Sequence, residues 1–324
     1  MNRTRAFLIV AAACLLVIIA AVTSAVLQAG PGEASAGATT ALAKADRPMV
    51  VFRSLTGETR DQVGIAPADA AGGKATFASL QCDRVYFSAG SGLCVARGGG
   101  FASGYRARIF GSDLRVRHEL DLDGTPSRAR VSRNGQIGAV TMFVTGHAYA
   151  EAGTFSTQTA LIDLRTGQKI ANLEDFTVSR NGRVVTAVDV NFWGVTFAPD
   201  GDHFYATLAT GGKTYLVRGS IRDRTMRTLH ENVECPSLSP DGTRIAYKKR
   251  VGSGTNPWHL TVLDLKTMHE TPLAEADGLD DQAEWLDDQH VLYGMGREIR
   301  VVPADGSGAP QVYRGSANSP AVVD

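Results

Sequence analysis

Seven histidines, four cysteines and several paired aspartates are the residues of this 324-residue chain whose types could do chemistry. The histidines stand at 118, 147, 203, 230, 259, 269 and 290, so none has a second histidine at the short spacing of a helical zinc site. There is no Cys-x-x-Cys pair, no Gly-rich phosphate loop and no Gly-x-Ser-x-Gly elbow. Carboxylates cluster at Asp121-Leu122-Asp123 and at Asp280-Asp281 with Asp287-Asp288. Converging carboxylates can hold calcium or act as acid and base. In Asp-Gly and Asp-Asp sequences they also serve as turn chemistry on solvated loops, which is the plainer reading here. A hydrolytic site needs several of His118, His147, His203, Asp123 and Asp281 to meet in one pocket. The sequence therefore assigns no catalytic residue, no metal ligand and no cofactor.

The cysteines carry redox information instead. Cys82 and Cys94 flank the turn-forming run Ser88-Ala89-Gly90-Ser91-Gly92. In an oxidising compartment such a pair is a disulfide candidate, the alternative being two buried thiols. That pairing leaves Cys235 single, while Cys14 lies within an apolar run near the N-terminus.

Charge excludes one partner class. With 33 basic and 33 acidic residues the formal net charge is zero, and no electrostatic footprint suggests nucleic acid. Arg106, Arg108, Arg115 and Arg117 sit at alternate positions, as on one solvated strand face. Trp193, Trp258 and Trp285 read as core packing, or else as the lining of a recognition surface.

The elements that must position these residues begin at the N-terminus. Residues 7–27 are almost uninterruptedly apolar. As a helix they would extend about 31 Å, enough for a hydrocarbon core of about 30 Å. Arg3 and Arg5 precede the run and the next basic residue is Lys44. That bias keeps residues 1–6 cytoplasmic and places the rest outside. A cleaved signal peptide, ending near Thr23-Ser24-Ala25 or Ala34-Ser35-Ala36, is the alternative and also exports the domain. Residues 28–47 are rich in Gly, Ala, Ser and Thr and read as a flexible linker. Residues 48–324 form the folded domain.

Within that domain one unit recurs. Ser239-Pro240-Asp241-Gly242 joins two strand-like runs: Pro240 presets φ, Asp241 bonds back to the backbone and Gly242 accepts positive φ. Pro199-Asp200-Gly201 repeats the turn, and Arg133-Asn134-Gly135 and Arg180-Asn181-Gly182 repeat it with asparagine. A degenerate copy lies at Trp285-Leu286-Asp287-Asp288-Gln289. Gly201 and Gly242 are 41 residues apart, and Gly242 and Gln289 are 47 apart. A strand-rich repeat of roughly that length predicts β-propeller blades. Six blades of four antiparallel strands fit best, with five or seven as alternatives. The ambiguity is local to residues 176–190, which form either an extra hairpin or an outer strand pair. A propeller must also close its ring, so residues 319–323 are expected to join the sheet containing 49–53.

The run Ser239-Pro-Asp-Gly-x-x-Ile-Ala-Tyr247, with its relatives at 198–206 and 131–143, resembles the short repeat of the TolB-like propeller family. The resemblance implies an all-β, WD40-like propeller, in this case carried on one N-terminal transmembrane helix. It further implies a non-enzymatic interaction module of the cell envelope that binds a protein, peptide or glycan; the apolar run 7–27 makes this chain single-pass in the membrane, a departure from free members of that family, and it is expected to be monomeric. Because related repeats also occur in peptidase and lyase propellers, the alternative is an extracellular carbohydrate-active hydrolase or lyase with its site at the channel.

Overall fold

The computed structural model describes Leu42 and residues 47–99, 104–145, 155–253, 257–275, 277–279 and 281–323. The proposed transmembrane segment 7–27 and nearly all of the linker 28–47 lie outside these residues. Among the described residues no helix is long and apolar enough to cross a membrane.

The described strands make six antiparallel blades. The first holds β1 (Met49–Ser54), β2 (Gln62–Pro67) and β3 (Thr76–Gln81). The second is β4 (Arg84–Ser88), β5 (Ser91–Arg97), β6 (Tyr105–Gly111) and β7 (Val116–Leu122). The third is β8 (Thr125–Val131), β9 (Ile137–Thr145), β10 (Ser156–Asp163) and β11 (Gln168–Asn172). A short hairpin, β12 (Thr177–Arg180) and β13 (Arg183–Val184), follows. The fourth is β14 (Asn191–Phe197), β15 (His203–Thr210), β16 (Lys213–Ser220) and β17 (Thr225–Glu231). The fifth is β18 (Glu234–Leu238), β19 (Arg244–Arg250), β20 (Trp258–Asp264) and β21 (Glu270–Pro272). The sixth is β22 (Glu284–Trp285), β23 (His290–Met295), β24 (Glu298–Pro303) and β25 (Gln311–Gly315). The last strand, β26 (Ala317–Val323), becomes the inner strand of the first blade by pairing antiparallel with β1. The ring thus closes as the terminal strands predict.

The ambiguous stretch 176–190 resolves as the extra hairpin. β12 pairs in parallel with β17, so the fourth blade carries six strands.

Each blade is covered by a neighbour on both faces, and the core is correspondingly divided into interblade layers. Phe87, Val85 and Ile65 join blades one and two, and Leu93, Val95 and Val140 join two and three. Leu161 and Phe204 join three and four, and Leu216, Ile245 and Tyr247 join four and five. Val262 and Val291 join five and six, and Phe52 and Leu292 return to the start. Strand β19 shows the consequence: Ile245 and Tyr247 face the fourth blade while Ala246 faces the sixth, and all three are buried. The alternation in this strand separates two buried interfaces, not a core face from a solvent face.

The Pro-Asp-Gly turn works as its residues require. Gly242 sits at φ +72° and donates its N–H to the Ser239 carbonyl at 2.9 Å. Ser239 Oγ donates to Asp241 Oδ1 at 2.5 Å and accepts from the Arg244 N–H at 3.0 Å. Ser132 and Asn134 build the same network in the third blade, at 2.7 Å between side chains and 2.9 Å from the Ile137 N–H. Burial raises the Asp241 pKa, but hydrogen bonds from Ser239 and Thr243 and the Arg244 charge outweigh it and hold the carboxyl at about 2.

Candidate binding face and channel

Two ends of the ring have different chemistry, because the turns between a blade's first and second strands lie at one end and those between its second and third at the other. At the first end the predicted turn residues interlock. Arg133 reaches from the third blade to the carbonyls of Ser239 and Pro240 in the fifth, at 2.5 Å each. The Asp241 N–H donates to Asp288 of the sixth blade at 2.9 Å, and the Arg244 guanidinium donates to the Asp288 carbonyl at 2.6 Å. Asp200 and Asp287 each pair with the histidine three residues on, at 2.6 Å for His203 and 3.0 Å for His290. Asn134, Gly135, Pro199, Gly201, Pro240 and Gly242 thus stand in the turns at this end.

Between the ends, the six inner strands surround a channel filled by its own side chains. Inner strands β8, β14, β18 and the β26 edge carry register shifts that take carbonyls out of the ladders. Arg84 Nε donates to the Ser127 carbonyl at 2.7 Å, and Gln282 Nε2 to the carbonyls of Val195 and Pro236 at 3.4 Å each. At the centre Arg130 pairs with Glu284, donates to Tyr86 Oη at 2.8 Å and reaches Ser237 Oγ and the Ala283 carbonyl at 3.2 Å. Tyr86 Oη donates to Glu284 Oε1 at 2.8 Å, and the Arg130 guanidinium lies 4.7 Å from the Tyr86 ring centroid. Arg130 and Glu284 are each only 5% exposed. Burial lowers the Arg130 pKa, but the Tyr86 and Glu284 interactions exceed it and the net shift is upward. The pocket beside these side chains is about 20 Å³, far below the ~300–1,000 Å³ of ligand sites.

The opposite end carries a depression across blades three to five, of about 640 Å³, within the ~300–1,000 Å³ of ligand sites. Phe155 and Trp193 line it, their rings edge-to-face at 5.6 Å, and Phe143 packs edge-to-face behind Phe155 at 5.9 Å. Val188 stands over it fully exposed. The polar rim is braced: Lys213 pairs with Glu231 at 2.6 Å, and Asp189 accepts from Thr210 Oγ1 and the Gly211 N–H at 2.7 Å each. Beneath lies a buried ionic and aromatic stack. Glu234 accepts from Trp258 Nε1 at 2.8 Å and has Arg250 Nε at 3.6 Å. Lys248, opposite Glu234 in the ladder, puts Nζ 4.1 Å from the Trp258 ring centroid. Gly194 permits this arrangement: at φ +64°, a Cβ there would lie 2.5 Å from Cys235 Cα.

Among the described residues, the histidines and carboxylates named for a hydrolytic site do not come together. His118 is on outer strand β7 and bonds the Arg165 carbonyl at 3.0 Å, whereas His203 is committed to its own turn. Asp123 is exposed beyond β7, and Asp281 lines the channel. Asp121 pairs with Arg106 at 2.8 Å. His147 and Asp280 lie outside the described residues. Among the described residues no three His, Cys, Asp or Glu side chains stand close enough to hold a metal ion. Cys82 and Cys94 form a disulfide, with Cα atoms 5.4 Å apart. Trp193, Trp258 and Trp285 are all buried, and only Trp193 also lines the depression.

No protein-family profile matches the chain, and no curated protein matches it. Solved structures do. TolB from Acinetobacter baumannii superposes with a TM-score of 0.58 at 20% identity, covering 86% of this chain and 67% of that one. The nidogen–laminin complex gives 0.55 at 10% identity, covering 85% and 97%. A puromycin-hydrolysing peptidase of Mycobacterium tuberculosis gives 0.50 at 14% identity, covering 84% of this chain and 44% of the peptidase. At these identities the likeness is one of fold, and the fold is the six-bladed, TolB-like β-propeller with four antiparallel strands per blade and two further strands on the outer edge of the fourth.

Proposed function

We propose that this chain is a membrane-tethered, extracytoplasmic propeller that acts as a non-enzymatic binding module of the cell envelope. The observation that carries the reading is the depression over blades three to five. Its aromatic floor of Phe155 and Trp193, exposed Val188 and braced charged rim suit an envelope protein or peptide that inserts an apolar side chain. The apolar run at 7–27 supports the tether and Arg3 and Arg5 support its orientation. A TolB and a propeller solved in complex with laminin are among the similar structures, which accords with binding. The alternative, a carbohydrate-cleaving site in the channel, has little to support it where about 20 Å³ is open.

In-cell crosslinking of the full-length protein, with a soluble 46–324 fragment as competitor, tests the proposal. One envelope protein should be captured and displaced by the fragment, but not by the same fragment carrying Val188→Glu. Capture of nothing displaceable, together with glycan cleavage by the fragment, would overturn it.

A further inference from the structure

The outer wall between blades four and five carries cations that have no ion pair among the described residues. Across the fourth blade, Tyr205 on β15 is directly opposite Arg218 on β16, and Arg218 is directly opposite Arg227 on β17. Directly opposed residues share a face with Cβ atoms ~5 Å apart, so the three side chains leave the sheet from a row of Cβ atoms roughly 10 Å long. Exposure rises along it: Tyr205 and Arg218 are half-buried and Arg227 is exposed.

Two like charges opposed in a ladder are unfavourable. Among the described residues neither arginine has an ion pair, the Tyr205 hydroxyl has no hydrogen bond, and the Arg218 Nε is buried without a hydrogen-bond partner. The acid that acts on Tyr205, Asp200, is already taken by His203 Nδ1 at 2.6 Å and by the N–H groups of Asp202 and His203. In the second blade, by contrast, Arg106 and Arg108 on β6 are matched, bonding Asp121 and Glu119 at 2.8 and 2.9 Å.

We propose that Tyr205, Arg218 and Arg227 form a binding site for a phosphate group, free or as an ester. Two planar guanidinium forks and a hydroxyl offer more donors than the two oxygens of one carboxylate can accept, whereas a phosphate presents three terminal oxygens and close to two negative charges. Binding would also remove the repulsion between the arginines. The site lies on the side wall toward the Pro-Asp-Gly turns, apart from the depression at the other end, and does not depend on it.

The full-length chain in neutral detergent is titrated with sodium phosphate against sodium chloride at equal ionic strength, by calorimetry and thermal melting. Phosphate should raise the melting temperature by about 2–4 °C at ten times Kd. Arg227→Gln should raise it by about 1–2 °C without phosphate, because repulsion is relieved, and weaken phosphate binding at least tenfold. Arg218→Gln and Tyr205→Phe should weaken binding too. A merely structural role for Arg227 predicts a lower melting temperature and an unchanged phosphate response. Glycerol 3-phosphate separates the sources. Tenfold tighter binding than inorganic phosphate assigns an ester such as a lipid headgroup, the reverse assigns free phosphate, and equal affinity assigns the phosphate group alone. A wild-type response no larger than that to chloride, or variants that respond as wild type does, overturns the proposal.

Discussion

Replacing Arg130 with methionine removes the cation from the centre of the channel and leaves Glu284 5% exposed with its Arg130 partner gone. Breaking a buried ion pair from one side costs about 3–5 kcal/mol, because the remaining charge stays desolvated. For a domain of this size that corresponds to a fall of roughly 6–12 °C in melting temperature. The same substitution at Arg47, whose pair with Asp69 is exposed, should cost less than about 1 kcal/mol. Adding Glu284→Gln to Arg130→Met removes the stranded charge but keeps a carbonyl oxygen for the Tyr86 hydroxyl and the Val322 N–H, both of which bond Glu284 Oε1. The double variant should therefore recover about 2 kcal/mol or more of the loss. Urea melts of the wild type, Arg130→Met, Glu284→Gln and the double variant give the cycle directly. A single-variant loss below about 1 kcal/mol, or a double variant no more stable than Arg130→Met, refutes the reasoning.

Three further outcomes are expected. Reducing the Cys82–Cys94 disulfide, or replacing both cysteines with serine, should lower stability by about 3 kcal/mol from the 12-residue separation, read as the difference between melts with and without reductant. Deleting residues 319–324 removes most of β26, whose Ala321 and Val323 are buried against the first blade, and should lower the melting temperature by more than about 10 °C. Burial raises the Glu174 pKa to about 7 against the hydrogen bonds from Thr159 and Phe192. Its folded value therefore exceeds the unfolded one, and its stabilising contribution, complete below about pH 4.5, is lost as pH rises through about 7. Glu174→Gln should flatten the pH 5–8 stability profile, a difference of up to about 3 kcal/mol by denaturant titration.

What the sequence made legible was local. Pro240-Asp241-Gly242 and Ser132-Arg133-Asn134-Gly135 specify their turns through bonds between residues two to five apart, and the spacing of those turns counts blades. Ring closure by 319–323 followed from the need to remove an edge, and the Cys82–Cys94 bridge from its hairpin setting. The channel was not legible. Arg128 and Arg130 alternate along β8 as solvated strand residues do, and Glu284 begins a strand of two residues. Their pairing joins positions 154 apart, and only the closed ring brings them together. The depression was hidden for a related reason. Phe155, Val188 and Trp193 come from connections and strand ends of different blades, with no shared motif. A lone glutamate ahead of Cys235-Pro236, where an inner strand has little reason to place a charge, was the signal available for the stack beneath it.

The central claim is that a partner docks on the end of the ring where Val188 stands. A photoreactive residue placed at Val188, and separately at Val312 on the outer edge of the sixth blade, measures this most directly in cells making the full-length chain. Crosslinking at position 188 to one defined envelope protein, abolished by Trp193→Ala and absent at position 312, is the predicted result. Equal capture at both positions, or capture only at 312, would contradict the account.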